Sequence, residues 1–175
     1  DGVVVANCHK IPADRFTRRR LSVEEIVSAW QPVLSAHSDK HFIFTVSPIR
    51  HIKDGLHENQ LSKATLLLAI AQLAENQTVS IDYFPSYEIL IDELRDYRFY
   101  ADDMLHPSSV AVNYIWERFV STYMSAATQQ EMHPLHQLYL DRHHTLLHPD
   151  SPASRMFLSR LEQNLTALRS RYPWI

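Results

Sequence analysis

The stretch YFPSYEILIDELRDYRFYADDMLH, residues 83–106, predicts a strand, a helix and a loop in succession. Its first residues complete the run from Val79 to Phe84, which has the apolar and aromatic composition of a strand. Residues 85–96 then carry apolar side chains at helical spacing, namely Tyr87, Leu90, Ile91 and Leu94. A further helix is predicted from Pro107, with an apolar stripe that comprises Val112, Ile115, Trp116, Phe119, Val120 and Tyr123.

Two more strand–helix units precede this stretch. Residues 3–6 (VVVA) and 41–46 (HFIFTV) are almost wholly apolar, which is typical of buried parallel strands. A helix is predicted after each. The first helix begins with a capping box at Ser22, and Pro32 should bend or end it. The second helix covers residues 61–75 and is apolar nearly all round. Alternating strands and helices indicate an α/β fold with a doubly wound parallel sheet of about three strands.

Beyond Met124 the pattern predicts only helices and loops. The last helix begins at Ser151-Pro152 and places Leu158, Leu161, Leu165, Leu168 and Tyr172 on one face. We therefore divide the chain into an α/β domain over residues 1–127 and a helical extension over residues 128–175.

Composition excludes several classes of protein. The net charge is −3 and the basic residues are dispersed, so no nucleic-acid partner is indicated. The basic run at residues 18–20 is interpreted as a solvated turn, with a phosphate-binding patch as the alternative. The single cysteine, Cys8, excludes an internal disulfide and a multi-cysteine zinc site. With only two glycines, Gly2 and Gly55, the chain lacks a P-loop, a dinucleotide fingerprint and a Gly-x-Ser-x-Gly elbow.

No apolar run is long enough to span a bilayer and no signal peptide is visible, so we expect no membrane association. The chain begins at Asp1 rather than at Met, which leaves open a lost targeting segment. The compartment is therefore undetermined, and the cytoplasm is favoured.

An aspartate three residues before a histidine closes the opening stretch, at Asp103 and His106. In such a pair the carboxylate accepts a hydrogen bond from one ring nitrogen and leaves the other nitrogen free as a base. The sequence therefore predicts a proton-transfer site. Two alternatives stay open: Asp103 caps a helix while the histidine simply packs, or Asp102 replaces Asp103 as the partner.

The polar loop after the second strand lies where open α/β sheets keep their sites. Its Arg50, His51, Asp54 and His57 are expected either to line a substrate cleft or to form a solvated loop. Ser47 is the serine of this chain best placed to act as a nucleophile, but a serine before proline at a strand end is also typical of a turn.

Histidines near the C-terminus allow a metal interpretation, because His144 and His148 are four residues apart and would share a helical face. No carboxylate completes a known zinc motif, so solvent-exposed histidines are expected instead, and neither a metal nor a cofactor is predicted. The other members of this group are His133, His136 and His143. Cys8 is expected to be a small buried residue, with a reactive thiol beside His9 as the alternative.

The strings FTVSPIRH (44–51), NQLSKA (59–64), YFPSYE (83–88) and ELRDYRFY (93–100) occur in this order along the chain. They resemble the GSCFA domain family, which is related to the SGNH (GDSL-like) hydrolases. The resemblance extends over roughly Val3 to Phe119, and its polar strings are specific.

This resemblance implies a three-layer α/β/α fold of the SGNH-hydrolase, flavodoxin-like type, of which residues 1–127 would be the C-terminal part. Asp103 and His106 would correspond to the block that supplies the acid and the base. Asn7 would be the oxyanion-hole asparagine, although the usual glycine two residues earlier is Val5 and Asn7 would equally satisfy a strand end. The Gly-Ser-Cys-Phe-Ala string with the nucleophilic serine is absent, so the resemblance places the nucleophile outside this chain.

The sequence therefore predicts a segment of an SGNH-like ester hydrolase or acyl transferase that acts on an acylated carbohydrate or a similar small ester. The alternative is a non-catalytic binding or structural domain that keeps the scaffold. Three strands leave an open sheet edge. We expect it to be covered by a second copy of the chain, by the missing N-terminal segment or by the C-terminal tail.

Overall fold

The computed structural model of the protein describes residues 11–75 and 79–174. The first predicted strand, residues 3–6, lies outside this part, as do Asn7 and Cys8. The described helices and strands, in chain order, are α1 Val23–Ala36, β1 His41–Thr45, α2 Leu56–Ala74, β2 Ser80–Phe84, α3 Ser86–Glu88, α4 Ser109–Tyr123, α5 Ala126–His143 and α6 Pro152–Arg171. Short 3₁₀ turns occupy Ala13–Arg15, Ile52–Asp54 and Tyr97–Phe99.

β1 and β2 form a two-stranded parallel sheet. Their register pairs His41 with Ser80 and Thr45 with Phe84. α2 connects the two strands, as a parallel pair requires. The predictions of an α/β fold, of parallel pairing and of strands at 41–46 and 79–84 are confirmed.

The core lies on one face of this sheet. Leu34 of α1 and Leu73 of α2 are buried in a cluster against which Phe42 and Phe44 of β1 pack. A second cluster buries Val46, Ile70 and Tyr87 beside the first. On the opposite face of the sheet, side chains such as that of Ile43 are exposed. α1 and α2 therefore pack on the face of the sheet that carries Phe42 and Phe44, and the opposite face is exposed at Ile43 but buried at Phe84.

α1 begins as the sequence predicts, with the capping box formed by Ser22 and Glu25. Pro32 does not end this helix, which continues to Ala36. The buried side chain of Leu34, in the last turn, holds that turn against the core.

α2 differs from the prediction at its start and in its burial. It begins at Leu56 rather than at residue 61. It is not apolar all round: Leu66 and Leu68 are exposed, whereas Asn59 and Lys63 are buried. Both polar side chains hydrogen-bond to the loop after β1, and these long-range partners compensate for their burial.

The helix predicted over residues 85–96 is shorter and partly π-helical. α3 continues into a π-helical turn at Ile89–Leu94, and Arg95 ends it in a left-handed conformation with φ of 54°. The next helix begins at Ser109 and not at Pro107, because Pro107 pairs with Tyr100 in an antiparallel bridge.

The chain divides into two compact units, residues 1–115 and 116–175. In the second unit, Ser125 caps α5 and Ser151 caps α6. An ion pair between Arg171 and Glu131 joins these two helices. None of the helices in the described ranges is long and apolar enough to cross a membrane.

Candidate active site

Asp103 and His106 are in direct contact. Oδ2 of Asp103 accepts a hydrogen bond from Nδ1 of His106 at 2.6 Å. Oδ1 accepts two more, from the backbone N–H groups of Leu105 at 2.9 Å and of His106 at 3.0 Å. One carboxylate thus fixes the turn, the ring and the tautomer of the imidazole together.

These hydrogen bonds determine the charge of the pair. They hold the pKa of Asp103 at about 2, chiefly because the two backbone N–H groups and then the imidazole stabilise the carboxylate. The aspartate is therefore ionised at neutral pH and favours a proton on Nδ1 of His106. Among the described residues, none hydrogen-bonds Nε2 of this histidine, so Nε2 is free to accept a proton from a substrate or a nucleophile.

A short hairpin over residues 99–108 presents the pair. The N–H of Ala101 donates to the carbonyl of His106, and the N–H of Ser108 donates to the carbonyl of Phe99, both at 2.8 Å. Backbone hydrogen bonds across the hairpin stabilise this turn, which belongs to neither a helix nor a continuous sheet.

Neither alternative for the aspartate describes the observed geometry. The carboxylate of Asp103 does bind backbone amides, but it caps no helix, since α4 begins only at Ser109. The ring of His106 does not pack, because its side chain is 58% exposed. Asp103, and not Asp102, is the residue bonded to the imidazole.

Arg50 connects the loop after β1 to this turn. Its backbone N–H donates to the carbonyl of Leu105 at 3.1 Å, and Nη1 donates to the carbonyl of Met104 at 3.3 Å. The guanidinium also lies 3.9 Å from the ring centroid of Tyr100, a cation–π contact. Arg50 thus holds the histidine turn at the carboxyl end of β1.

The other residues of this loop are placed in different ways. The backbone N–H of His51 donates to Oδ1 of Asn59 at 2.9 Å, and Asp54 forms an ion pair with Arg18 at 2.6 Å. An open groove of about 420 Å³ is lined by Arg50, His51, Asp54 and Leu105 among others. His57, exposed on the first turn of α2, is not among the lining residues. Asp103 and His106 lie outside this groove, which reaches their turn at Leu105.

Ser47 belongs to the turn that ends β1. Its hydroxyl accepts from the N–H of Ile49 at 3.3 Å, and its carbonyl accepts from Nζ of Lys63 at 2.5 Å. In the described structure no hydrogen bond joins Ser47 to His106. This geometry is that of a turn residue.

Two polar residues that support the site were not singled out from the sequence. Lys63 is only 4% exposed, and its ammonium lies 5.7 Å from the ring centroid of Tyr87. Burial lowers its pKa. With Asn59 it fixes the loop that carries Arg50, through Ser47 and His51 respectively. The signal was their spacing of four residues on α2, which places two polar side chains on one face.

The remaining candidates form no metal site in the described structure. α5 ends at His143, so the expectation that His144 and His148 share a helical face is wrong. Among the described residues there is no group of three or more potential metal ligands. The arginines at 18–20 form ion pairs with Asp54, Glu25 and Glu58. Asn7 lies outside the described residues, so its place relative to His106 is not defined.

Comparison with known families agrees with the strings noted in the sequence. The family model of the GSCFA family matches residues 1–119, which is more than half of the chain. No curated protein and no solved structure gives a significant match. The hairpin that carries Asp103 and His106 lies inside the matched region. The chain therefore belongs to the GSCFA family.

Proposed function

We propose that this protein is part of an SGNH-like ester hydrolase or acyl transferase in which His106 is the general base and general acid. The observation that carries the proposal is the 2.6 Å hydrogen bond between Asp103 and His106, on a carboxylate that stays ionised and with Nε2 unoccupied. This is the arrangement that an acyl-transfer base requires.

The reaction would run in two halves. A serine outside residues 1–175 attacks the ester carbonyl while Nε2 of His106 takes its proton, so that the new C–O bond forms as the O–H bond breaks. The tetrahedral intermediate collapses, and the imidazolium returns the proton to the leaving alkoxide. Water, or an acceptor alcohol in a transferase, then releases the acyl group by the same steps. Asp103 stabilises the imidazolium in both halves.

Asn7 would donate to the oxyanion of the tetrahedral intermediate. The side-chain amide of an asparagine is a suitable donor, and each such donor contributes on the order of 10²–10³ in rate. This role rests on the resemblance of the first strand to that of the SGNH hydrolases.

The same proposal extends to the architecture. Parallel sheets in α/β proteins are covered on both faces. Ile43, on the face of the sheet opposite α1 and α2, is a large apolar residue that is exposed. We infer that further elements, either from outside the described residues or from a second copy of the chain, complete a three-layer α/β/α arrangement of residues 1–127. Residues 128–175 would then be a helical extension.

The substrate would be a small polar ester, such as an acylated carbohydrate. In support, the groove that reaches the histidine turn is lined mainly by polar and charged side chains, including Arg50, His51 and Asp54. These side chains can hydrogen-bond to the hydroxyl groups of a carbohydrate.

Turnover of p-nitrophenyl acetate tests the proposal in two preparations. One is residues 1–175 alone, and the other, called the full-length protein, is a longer chain in which a segment with a Gly-Ser-Cys-Phe-Ala string precedes these residues. We expect turnover only in the full-length protein, with loss in His106→Ala. Turnover by residues 1–175 alone would place the nucleophile in this chain, at Ser47 or Cys8, and would contradict the proposed location.

A non-catalytic binding or structural domain is the second candidate. It is favoured by one observation: the side chains of Asp103 and His106 are 45% and 58% exposed, and catalytic pairs are usually better shielded from water. An unchanged rate in His106→Ala would support this second function.

A further inference from the structure

Arg50 lines a second, smaller pocket besides the groove of about 420 Å³. Its volume is about 180 Å³, and its lining residues are Arg50, Leu90, Ile91, Arg95, Tyr97 and Tyr100. It includes two arginines and two tyrosines. None of these six residues, all in the described part of the chain, is acidic.

Asp96, the acidic residue that directly follows Arg95, is already engaged. Oδ1 of Asp96 accepts from the backbone N–H of Arg98 at 2.9 Å, and its other oxygen lies 3.7 Å from the Arg98 guanidinium. Within the described residues, no acidic side chain pairs with Arg50 or Arg95. Two guanidinium groups that share one small pocket repel each other, and a bound anion would offset that repulsion.

Arg95 is held at the pocket in a conformation that arginine rarely adopts. It ends the π-helical turn with φ of 54°, and its N–H donates to the carbonyl of Leu90 at 3.1 Å. Glycine or asparagine is usual where a helix ends in this left-handed conformation. Strained backbone of this kind concentrates at functional sites, and here it positions an arginine side chain at the pocket.

The rest of the pocket suits a small, flat or tetrahedral anion. Leu90 is fully buried and forms an apolar wall of the pocket, whereas Arg95 and Tyr97 are exposed. The Arg50 guanidinium is held 3.9 Å from the Tyr100 ring centroid and 5.8 Å from that of Tyr97. Its orientation is therefore set before a ligand arrives. Guanidinium groups bind carboxylates and phosphates in a bidentate manner.

The pocket adjoins the histidine turn. Tyr100 pairs with Pro107 across the hairpin, and residues paired in this way have Cα atoms about 5 Å apart. His106 directly precedes Pro107. The pocket and the Asp103–His106 pair therefore belong to the same hairpin.

We propose that the pocket of Arg50, Arg95, Tyr97 and Tyr100 binds an oxyanion, a carboxylate or a phosphate, that belongs to the substrate. This inference deepens the proposed function and rests on it only for assigning the anion to an ester substrate. The substrate class is then an ester that also carries a negative charge.

Binding is tested first, with inorganic phosphate and with acetate as separate probes, by calorimetry on the full-length protein at low ionic strength. We expect one or both to bind, and Arg95→Asn to weaken binding at least tenfold. Asparagine tolerates the left-handed conformation, so the fold is retained. The matched control is Arg98→Asn, three residues away and outside the pocket, which should leave binding unchanged. Preference for phosphate over acetate, or the reverse, identifies the oxyanion.

Failure to bind either anion would overturn the inference, as would equal weakening by Arg95→Asn and Arg98→Asn, because the latter indicates non-specific attraction to charge.

Kinetic measurements then show whether the bound anion is part of the substrate. Arg95→Asn should raise KM for the mono-p-nitrophenyl ester of succinic acid and leave p-nitrophenyl acetate unaffected; an equal effect on both esters would show that the anion is not part of the substrate. If anions bind but His106→Ala retains turnover, the proposed function fails while the anion site stands.

Discussion

The backbone N–H of Arg50 donates to the carbonyl of Leu105 across 55 positions of the chain, at 3.1 Å. This hydrogen bond joins the loop that follows β1 to the turn that holds His106. The position of the imidazole therefore depends on the end of the sheet as well as on its own turn. If His106 is the base that we propose, mutations in the loop should lower the rate without changing the histidine itself.

Arg50→Met removes the guanidinium bond to Met104 and the contact with the Tyr100 ring, while the backbone hydrogen bond stays. We expect the free energy of unfolding to fall by about 1 kcal/mol and kcat for ester hydrolysis to fall at least tenfold. Urea denaturation and steady-state kinetics measure the two effects. Arg98→Met is the matched control, because the Arg98–Asp96 pair is exposed and should contribute less than about 0.5 kcal/mol. A kcat that does not change in Arg50→Met would show that Arg50 does not position the turn.

Asp103→Asn and Asp103→Ala separate the two roles of this carboxylate. Asparagine keeps one oxygen for the N–H groups of Leu105 and His106 but no longer attracts the Nδ1 proton. We expect Asp103→Asn to lower kcat at least tenfold with a smaller loss of thermal stability than Asp103→Ala, which loses the hydrogen bonds to the backbone N–H groups as well as the charge. The same loss of stability in both variants would mean that the aspartate has only a structural role.

The low pKa of Asp103 also predicts how the stability of the protein changes at acid pH. Its folded pKa of about 2 lies below that of an unfolded aspartate, about 3.9, so the carboxylate stabilises the fold above pH 3.9 and this contribution is lost as the pH falls to about 2. The wild type should therefore lose stability relative to Asp103→Asn over that interval. A difference in the free energy of unfolding between the two proteins that stays constant from pH 4 to pH 2 would contradict this prediction.

Lys63→Met tests how burial of the Lys63 ammonium affects the pH dependence of stability. Burial lowers the folded pKa of Lys63 below the value of about 10.4 for an unfolded lysine. Between these two values the unfolded state binds more protons, so the free energy of unfolding of the wild type rises with pH, and methionine removes this dependence. Chemical denaturation at several values from pH 8 to pH 10.5 should show the wild type gaining stability relative to Lys63→Met. If the stability of the wild type relative to Lys63→Met decreased as the pH rises, the ammonium would be stabilised in the folded state.

Arg95→Gly should increase stability while it removes the proposed anion site. Relief of the left-handed conformation contributes about 1–2 kcal/mol, and the greater freedom of glycine in the unfolded state costs about 0.5–1 kcal/mol. We expect a net gain of roughly 0.5–1 kcal/mol in thermal or urea denaturation. A loss of stability would mean that the Arg95 side chain supports the fold, and the strain would then have a structural explanation.

The sequence predicted the helices and strands whose position is determined by residues close together in the chain. The strands at 41–46 and 79–84 and the capping box of Ser22 follow from composition and spacing over a few residues. The start of α2 at Leu56 does not, because the polar residues of its first turns are buried only through their bonds to the loop after β1. Those partners lie 8 and 16 positions away, in a loop outside the helix, so helical spacing does not reveal them.

The site shows the same division. The spacing of Asp103 and His106 was sufficient to predict their contact, since three residues of a turn bring the two side chains together. The role of Arg50 was not predictable, because Leu105 and Tyr100 approach it only in the folded chain. The left-handed Arg95 was also missed, because no residue type preference indicates arginine at such a position.

The most direct test of the central claim is the rate of acetyl transfer from p-nitrophenyl acetate in His106→Ala, compared with His41→Ala in the same full-length protein. His41 also contacts an aspartate, Asp82, at 3.1 Å, and is similarly exposed, but it lies at the amino end of β1. If the Asp103–His106 pair is catalytic, His106→Ala should lower kcat by at least 10²-fold while His41→Ala stays within about twofold of the wild type. Equal rates in the two variants, with both proteins folded, would contradict the claim.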